Sequence, residues 1–220
     1  MALVTANGLD VASGRIVLPR ARRWFADLAV DDPDGFAVGD AVELLVGDGL
    51  LTLRGTAGRA DVFLGAAGVH VLGGADGLSS RAKPKWYRQA PARLVWDDLL
   101  RAAGETAAAS ADTNLLSTTL PAWCVRGAGV GMQLDELVVA LRATWRVLLD
   151  GTIWVGQESW PEADVDLELM ELSPPEDRAM FKCEAPSLLP GTTLDGRRVS
   201  RVEHLIGEAS VRTVAYFEAA

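Results

Sequence analysis

Cysteine and histidine are scarce in this chain of 220 residues. The two cysteines, Cys124 and Cys183, lie far apart and form neither a CxxC motif nor the spacing of a zinc site. The two histidines, His70 and His204, are too few to build a histidine-rich metal site. We therefore expect no metal and no cofactor, and we expect buried thiols in a protein made in a reducing cytoplasm.

Long apolar runs and a basic leader are also absent. No stretch approaches the roughly 18 uninterrupted apolar residues that a membrane span requires. Residues 1–15 lack a basic segment followed by a long apolar run, so they do not have the pattern of a signal peptide. The formal net charge of −9 makes non-specific binding to nucleic acid an improbable main task. We expect a soluble protein without membrane insertion.

Short apolar runs bounded by turn residues dominate both ends of the chain. The runs at 41–46 and 50–55 flank Gly47-Asp48-Gly49, and we predict a hairpin there because glycine adopts positive φ at little cost. Further strands are predicted over 22–30, 62–64, 69–72, 164–169, 179–185, 198–205 and 211–217. Many short strands at this spacing are typical of a barrel or a sandwich rather than a parallel sheet.

The segment 164–169 alternates strictly between acidic and apolar residues, as a half-buried strand does. Asp164, Asp166 and Glu168 are then expected on its solvent-exposed face. An acidic ladder of this kind could instead meet basic residues across an interface.

Helical periodicity is confined to the middle of the chain. Apolar residues at helical spacing predict a helix over 92–103, which ends at Gly104. A second helix is predicted over 132–143, where Leu134, Leu137, Val138 and Leu141 form one face. The segment 105–119 between them is rich in alanine, serine and threonine and is expected to be a loop.

The segment 144–156 places two β-prone runs on either side of an Asp-Gly pair at 150–151, which predicts a tight type I′ hairpin. The predicted fold class is mixed α+β and mainly β, with tube-like β-barrel domains and a small helical insert. We predict an N-terminal barrel-like region over 1–85, an α/β insert with two helices and a hairpin over 86–162, and a C-terminal β region over 163–220 that completes a barrel.

No constellation of catalytic residues stands out in the sequence. Both cysteines lie in apolar surroundings, no GxSxG motif surrounds a serine, and the glycine-rich segment 127–131 lacks the Lys-Ser/Thr end of a P-loop. Carboxylates are plentiful, but nothing marks two of them as sharing a cleft. We predict a protein that is not an enzyme. The alternative is a cell-wall-degrading tail hydrolase, which would use carboxylates such as Asp97 and Glu136.

Seven tryptophans are spread over the whole chain, and tryptophan serves both as a core residue and as an interface anchor. The basic and aromatic segment 81–88 is predicted to pair with an acidic partner surface. Our candidate interface residues are Trp24, Trp86, Arg88, Trp145, Trp154, Arg201, His204 and Arg212. A carbohydrate-binding β module that uses exposed tryptophans, such as Trp86, is a further alternative.

Two C-terminal segments are predicted to take part in assembly. The strand edges at 198–205 and 211–217 are expected to pair across subunits or to close a barrel. His204 alternates with Val202 and Ile206, and we expect it to face the surface or another subunit.

Several short motifs follow one another in a characteristic order. They are an early strand with Trp24, the stretches at 38–44 and 53–55, the helix that ends at Gly104, the helix and hairpin within 134–155, and the closing segment 189–204. In the first stretch, Gly39-Asp40-Ala41-Val42-Glu43-Leu44 is similar to a G-D-x-V-x-L pattern. This arrangement resembles the hub proteins of phage tail baseplates, including the late control gene-D-like proteins and the related spike proteins of type VI secretion.

The resemblance implies a structural component that links the tail tube to spike or fibre proteins through rings of β-barrels. Hubs of this family form trimers, in which two barrels per chain offer six similar faces to a hexameric tube. We therefore expect a homotrimer in the virion tail, assembled in the host cytoplasm, with tail-tube and spike or tail-tip proteins as partners. DNA would pass through its channel without specific binding, because an acidic wall does not retain it.

Overall fold

A computed structural model of the chain describes residues 3–32, 34–47, 49–63, 65–165, 168–183, 188–207 and 210–218. Its first six strands are β1 (Val4–Ala6), β2 (Leu9–Pro19), β3 (Phe25–Val30), β4 (Ala41–Val46), β5 (Leu51–Phe63) and β6 (Ala66–Gly73). They pair antiparallel in the order β1-β4-β5-β6-β3-β2. Because β1 also pairs with β2, these strands form a closed six-stranded barrel.

Alternating side chains fill the interior of this barrel. Every second residue of β3 and β4 is buried, as the period of a half-buried strand requires. Trp24 lies at one end of the barrel beside Gly55 and Gly73, and a Cβ atom added to Gly73 would lie 2.5 Å from the indole nitrogen of Trp24. Both glycines therefore leave the space that the indole ring occupies.

The helical insert follows the barrel. Its elements are β7 (Lys85–Pro91), α1 (Ala92–Ala103), α2 (Thr113–Leu116), β8 (Thr119–Val125), α3 (Val130–Leu141), β9 (Thr144–Val147) and β10 (Ile153–Gly156). Strands β7 and β8 form one antiparallel ribbon, and β9 and β10 form a second. The helices α1 and α3 bury Trp96, Leu99, Leu134 and Leu137, so the insert has an apolar core of its own.

The structure confirms both predicted helices, with one shift in position. Helix α1 has the predicted bounds, and Gly104 ends it with a φ of 68°. Helix α3 starts and ends two residues earlier than predicted, because Arg142 adopts a φ of 55° and terminates the helix. The predicted loop at 105–119 contains α2, which begins where the side chain of Asp112 accepts hydrogen bonds from two backbone amides.

The hairpin at 144–156 exists, but the type I′ turn is wrong. Asp150 lacks the positive φ that this turn needs, whereas Gly151 has a φ of 84°. The last paired residues are Val147 and Ile153, which leaves a five-residue connection. The side chain of Asp150 accepts a hydrogen bond from the Thr152 amide at 2.9 Å. This local bond favours the longer loop.

The same loop also contacts the barrel. The amide of Arg54 donates a hydrogen bond to the carbonyl of Leu149 at 2.7 Å, and the indole of Trp24 donates to the carbonyl of Leu148 at 3.1 Å. These contacts hold the hairpin of the insert against one end of the barrel.

The C-terminal strands extend the sheet of the barrel. They are β11 (Glu168–Ser173), β12 (Arg178–Cys183), β13 (Thr193–Leu194), β14 (Arg197–Gly207) and β15 (Ser210–Phe217). Strand β14 pairs with β2, and the order continues through β15 and β12 to β11. The expectation that the segments 198–205 and 211–217 pair across subunits is therefore wrong, since β14 and β15 each have a neighbour from the same chain on both sides. Among the described strands, β11 pairs with β12 alone.

The strand predicted over 164–169 is shifted toward the C-terminus. Residues 166 and 167 lie outside the described residues, Asp164 and Val165 are not in a strand, and β11 begins at Glu168. Its first five side chains are all exposed, so the expectation of a half-buried strand is wrong. The predicted run at 62–64 is the end of β5. Residues 48, 64, 184 and 185 of the predicted turn and strands lie outside the described residues.

The predicted fold class is confirmed, because the chain is mainly β with a closed barrel and few helices. The domain boundaries at 85 and 162 stay predictions. In the part of the chain that the structure describes, no helix has both the length and the apolar character needed to cross a membrane.

Candidate interaction surfaces

The helical insert has an open groove on its outer side. The groove has a volume of about 750 Å³ and lies between the β7–β8 ribbon and α3. Trp86, Trp123, Cys124 and Val139 line it. Trp86 and Val139 are 77% and 76% exposed, which is unusual for large apolar side chains. The groove therefore presents apolar surface that the described chain leaves uncovered.

Strand geometry explains the exposure of Trp86. Neighbouring residues of a strand point to opposite faces, so Tyr87 is buried against the insert core while Trp86 points outward. Trp86 lies opposite Cys124 of β8. The thiol of Cys124 is free and partly exposed, which only partly meets the expectation of a buried cysteine. The side chain of Cys183 lies outside the described residues.

Charged residues border the groove. Glu136 forms an ion pair with Arg126. Asp135 accepts a hydrogen bond from the indole of Trp145 at 2.8 Å and lies 3.1 Å from a guanidinium nitrogen of Arg22. Each of these carboxylates is therefore already held by a group of the same chain.

The segment before and within β7 carries the basic strip that the sequence predicted, which consists of Arg81, Lys83, Lys85 and Arg88. Only Lys85 has an ion-pair partner among the described residues, since its ammonium lies 2.5 Å from Asp98. The other three form no ion pair with the described part of the chain. The basic strip therefore offers three uncompensated positive charges on the surface of an acidic protein.

Asp98 connects the basic strip to helix α1. It accepts hydrogen bonds from Lys85, from the hydroxyl of Tyr87 at 2.8 Å and from Arg101 at 2.8 Å. The hydrogen bond from Lys85 lowers the pKa of Asp98, so its carboxylate remains ionised at neutral pH. Burial, together with the hydrogen bond to Asp98, raises the pKa of Tyr87. These contacts fix the orientation of β7 on α1.

The outer strand β11 forms a second candidate surface. Its apolar residues Leu169, Met170 and Leu172 are 54%, 50% and 51% exposed. Glu168 and Glu171 lie on the same strand, each within 4.0 Å of a basic group on β12. An outer strand with exposed apolar side chains is a common site of strand addition. The sequence indicated the acidic character of this strand, but its position at the end of the sheet is set by tertiary pairing.

Three of the predicted interface residues lie inside the chain. Trp24 and Trp145 expose only 2% and 3% of their surface, and His204 exposes none. Their contacts, described above for both tryptophans, are with residues of the same chain. The expectation that His204 faces the surface or another subunit is wrong.

Alternation along β14 explains the burial of His204. Residues two apart in a strand share a face, and Val202 and Ile206 on either side are buried. The imidazole Nδ1 of His204 lies 3.0 Å from the hydroxyl of Thr213, and its Nε2 has no hydrogen-bond partner among the residues that the structure describes. Desolvation lowers the pKa of His204 to about 4, so the imidazole is neutral at pH 7.

The other five predicted interface residues reach solvent, with Trp86, Arg88 and Arg212 exposed and Trp154 and Arg201 partly exposed. Two of them pack within the chain. The guanidinium of Arg201 lies 3.8 Å from the ring centre of Tyr216, and that of Arg146 lies 4.4 Å from the ring centre of Trp154. The role of these five residues in an interface stays a prediction.

The carboxylates considered for hydrolysis have local partners. Asp97 lies 3.6 Å from Arg93 one helical turn away, and Glu136 pairs with Arg126. Among the described residues, no group of three or more His, Cys, Asp or Glu side chains is arranged to hold a metal ion. The structure therefore adds no observation in favour of the hydrolase alternative.

Comparison with known proteins relates the chain to solved structures only. No family model matches the sequence, and no curated protein matches it in sequence. The 43 kDa tail protein of prophage MuSo2 from Shewanella oneidensis superposes with a TM-score of 0.71 at 11% identity, covering 98% of this chain and 96% of that chain. The tail protein from Neisseria meningitidis MC58 gives a TM-score of 0.68 at 11% identity, covering 99% and 96%.

A secretion protein has the same fold. The E. coli c3393 protein, a component of the type VI secretion system with structural similarity to the T4 tail proteins gp27 and gp5, gives a TM-score of 0.69 at 10% identity. The match covers 98% of this chain and 77% of that chain. The resemblance seen in the sequence is therefore confirmed in the structure: the chain has the fold of phage tail proteins and of a type VI secretion component.

Proposed function

We propose that this chain is a structural component of a phage or phage-like tail, a hub at the tail tip that links the tail tube to spike or fibre proteins. The observation that carries the proposal is the fold match, which spans nearly the whole length of both chains for two tail proteins. A local match to one barrel would be weaker support, because small barrels host many functions. Here the barrel, the insert and the C-terminal strands match together.

The hub acts as a homotrimer in this proposal. The described part of the chain contributes a closed barrel and a sheet extension whose outer strand, β11, has a described neighbour on one side only. A ring of copies would give this strand and the apolar groove of the insert a partner, which is how closed assemblies cover exposed edges. The net charge of −9 suits a channel wall, because it does not retain DNA that passes through.

The role is non-enzymatic in this proposal. The free energy of assembly comes from burial of apolar surface between subunits and against the tube and spike proteins. The proposed partners are tail-tube proteins and spike or tail-tip proteins, and the proposed location is the virion tail.

Native mass spectrometry of the purified chain tests the ring. We expect a species of three times 23.4 kDa, about 70 kDa, which persists on dilution because an obligate ring buries its edges permanently. Electron micrographs of that species should show threefold rings with a central hole. A chain that remains at 23.4 kDa at high concentration and retains no tail protein would contradict the hub.

The exposure of Trp86 favours one alternative, a carbohydrate-binding module. An exposed indole beside an open groove is a suitable platform for a sugar ring. Binding on a glycan array that disappears in a Trp86→Ala variant, while Val38→Ala leaves it unchanged, would support this function. Val38 is a fair control because it is also a large apolar residue, and it is 68% exposed. Absence of glycan binding by the wild type would remove the alternative.

A further inference from the structure

The two candidate surfaces of this chain complement each other. The insert surface consists of the exposed apolar residues Trp86 and Val139 with the unpaired cations Arg81, Lys83 and Arg88. The acidic edge is strand β11, with exposed Leu169, Met170 and Leu172 and with Glu168 and Glu171. We propose that the acidic edge of one copy docks on the insert surface of the next copy. This contact rests on the proposed hub function and specifies how its ring is held together.

The first support for this contact is that β11 and β7 each have one edge without a paired strand among the described strands. Strand β11 pairs with β12, and strand β7 pairs with β8, but no described strand occupies the other side of either. The two strands have similar lengths of six and seven residues. Each therefore offers a row of backbone donors and acceptors that a strand of matching length satisfies.

Charge supports the same pairing. Glu168 and Glu171 are three residues apart, and so are Lys85 and Arg88 on β7. In an antiparallel ladder, the register that sets Glu168 opposite the unpaired Arg88 also sets Glu171 opposite Lys85, whose ammonium lies 2.5 Å from Asp98 of its own chain. Two acidic edges would repel each other, and so would two basic strips, which disfavours contacts between identical surfaces.

Apolar contacts fit this register as well. It places Met170 opposite Trp86, and a thioether against an indole is a favourable contact. Met170 is the extra residue where the register of β11 shifts, so it lies opposite no residue of β12. Its side chain is half exposed and free to meet a neighbour.

The contact joins two different surfaces, so it is heterologous. A contact of this type repeats from copy to copy and closes into a ring when the rotation between copies allows it. A twofold dimer would require one surface to meet itself. A variant that lacks one surface therefore still binds, through its other surface, a copy that keeps the complementary one.

Mixing of two surface variants tests the contact. Trp86→Asp should abolish binding through the insert surface and leave the acidic edge intact. Met170→Asp should abolish binding through the acidic edge and leave the insert surface intact. Each variant alone should be a 23.4 kDa monomer, and an equimolar mixture should form dimers of twice that mass and nothing larger. Native mass spectrometry distinguishes the monomer from the dimer, and we expect each substitution to weaken self-association at least about tenfold.

Matched controls separate this result from misfolding. Leu50→Asp introduces the same charge at another apolar position, which is 69% exposed, and should leave the wild-type mass unchanged. Circular dichroism should show the same fold for all variants. A charge reversal adds a rescue test, because Arg88→Glu should weaken assembly and Arg88→Glu combined with Glu168→Arg should restore it.

The possible results show separately whether the proposed contact fails and whether the proposed hub function fails. A threefold ring that survives both Trp86→Asp and Met170→Asp would overturn the contact and leave the hub intact. Monomeric variants that fail to combine, or a Met170→Asp variant that dimerises by itself, would also overturn the head-to-tail contact. A monomeric wild type would contradict the ring of the hub and the contact together.

Discussion

Replacement of Trp24 with alanine is expected to lower the free energy of unfolding by about 4 kcal/mol, within the range for large aromatic residues in a core. The side chain is 2% exposed and lies at the end of the barrel. Its removal leaves a cavity bordered by Gly55 and Gly73, which have no side chains to fill it. It also leaves the carbonyl of Leu148 without its hydrogen-bond donor. Urea denaturation followed by circular dichroism measures the loss.

Trp154 provides the matched control for this substitution. Its indole is partly exposed, donates a hydrogen bond to the carbonyl of Ser110 at 3.2 Å and packs under Arg146. Trp154→Ala should therefore cost clearly less, about 1–2 kcal/mol, because the site can relax into solvent. Equal losses for the two variants would show that Trp24 does not anchor the barrel to the hairpin of the insert.

Local signals in the sequence were sufficient for the elements that local physics determines. Helix α1 has the predicted bounds because its apolar periodicity ends at a glycine that adopts positive φ. The fold class followed from the number of short strands and the confinement of helical periodicity to the middle. The hairpin at 144–156 was found for the same reason, since its two β-prone runs are adjacent in the chain.

Elements that depend on distant partners were predicted less well. The turn at Asp150 and Gly151 takes a longer form, which is favoured both by the local hydrogen bond of Asp150 and by the hydrogen bonds that its loop carbonyls accept from the barrel. Strand β14 was expected to pair across subunits or to close a barrel, but it pairs with β2 from the far end of the chain, and β11 is the outer strand among those described. Pairing between distant segments leaves no signal in a single run of residues.

The candidate surfaces likewise include features that local sequence determines and features that depend on distant partners. The basic and aromatic character of the segment 81–88, with Trp86 as an interface candidate, was visible in that segment alone. The apolar groove was not, because it forms only when α3 packs beside the β7–β8 ribbon. His204 was placed on the wrong side of its strand, although its alternation with Val202 and Ile206 indicated a shared face. Two apolar neighbours at that spacing are a better guide than the polarity of the imidazole.

The buried imidazole of His204 is expected to make the protein less stable in acid. Burial lowers its pKa to about 4 in the folded chain, from the usual histidine value of 6.5. Between these values the unfolded chain binds the additional proton, so the free energy of unfolding decreases as the pH falls. From about pH 7.5 to about pH 5, this residue should lower the stability by about 2 kcal/mol. Urea denaturation at a series of pH values measures the change.

A His204→Gln variant isolates this contribution, because glutamine does not titrate. Burial raises the pKa of Glu105 and Glu158, so these carboxyls favour the folded state as the pH falls and act in the opposite direction. They are present in both proteins and cancel in the difference between wild type and variant. His70→Gln is the control, since it leaves His204 in place and should keep the acid-dependent loss. Parallel pH profiles for the wild type and His204→Gln would mean that the imidazole is protonated without cost, which a fully buried side chain with an unpartnered Nε2 does not allow.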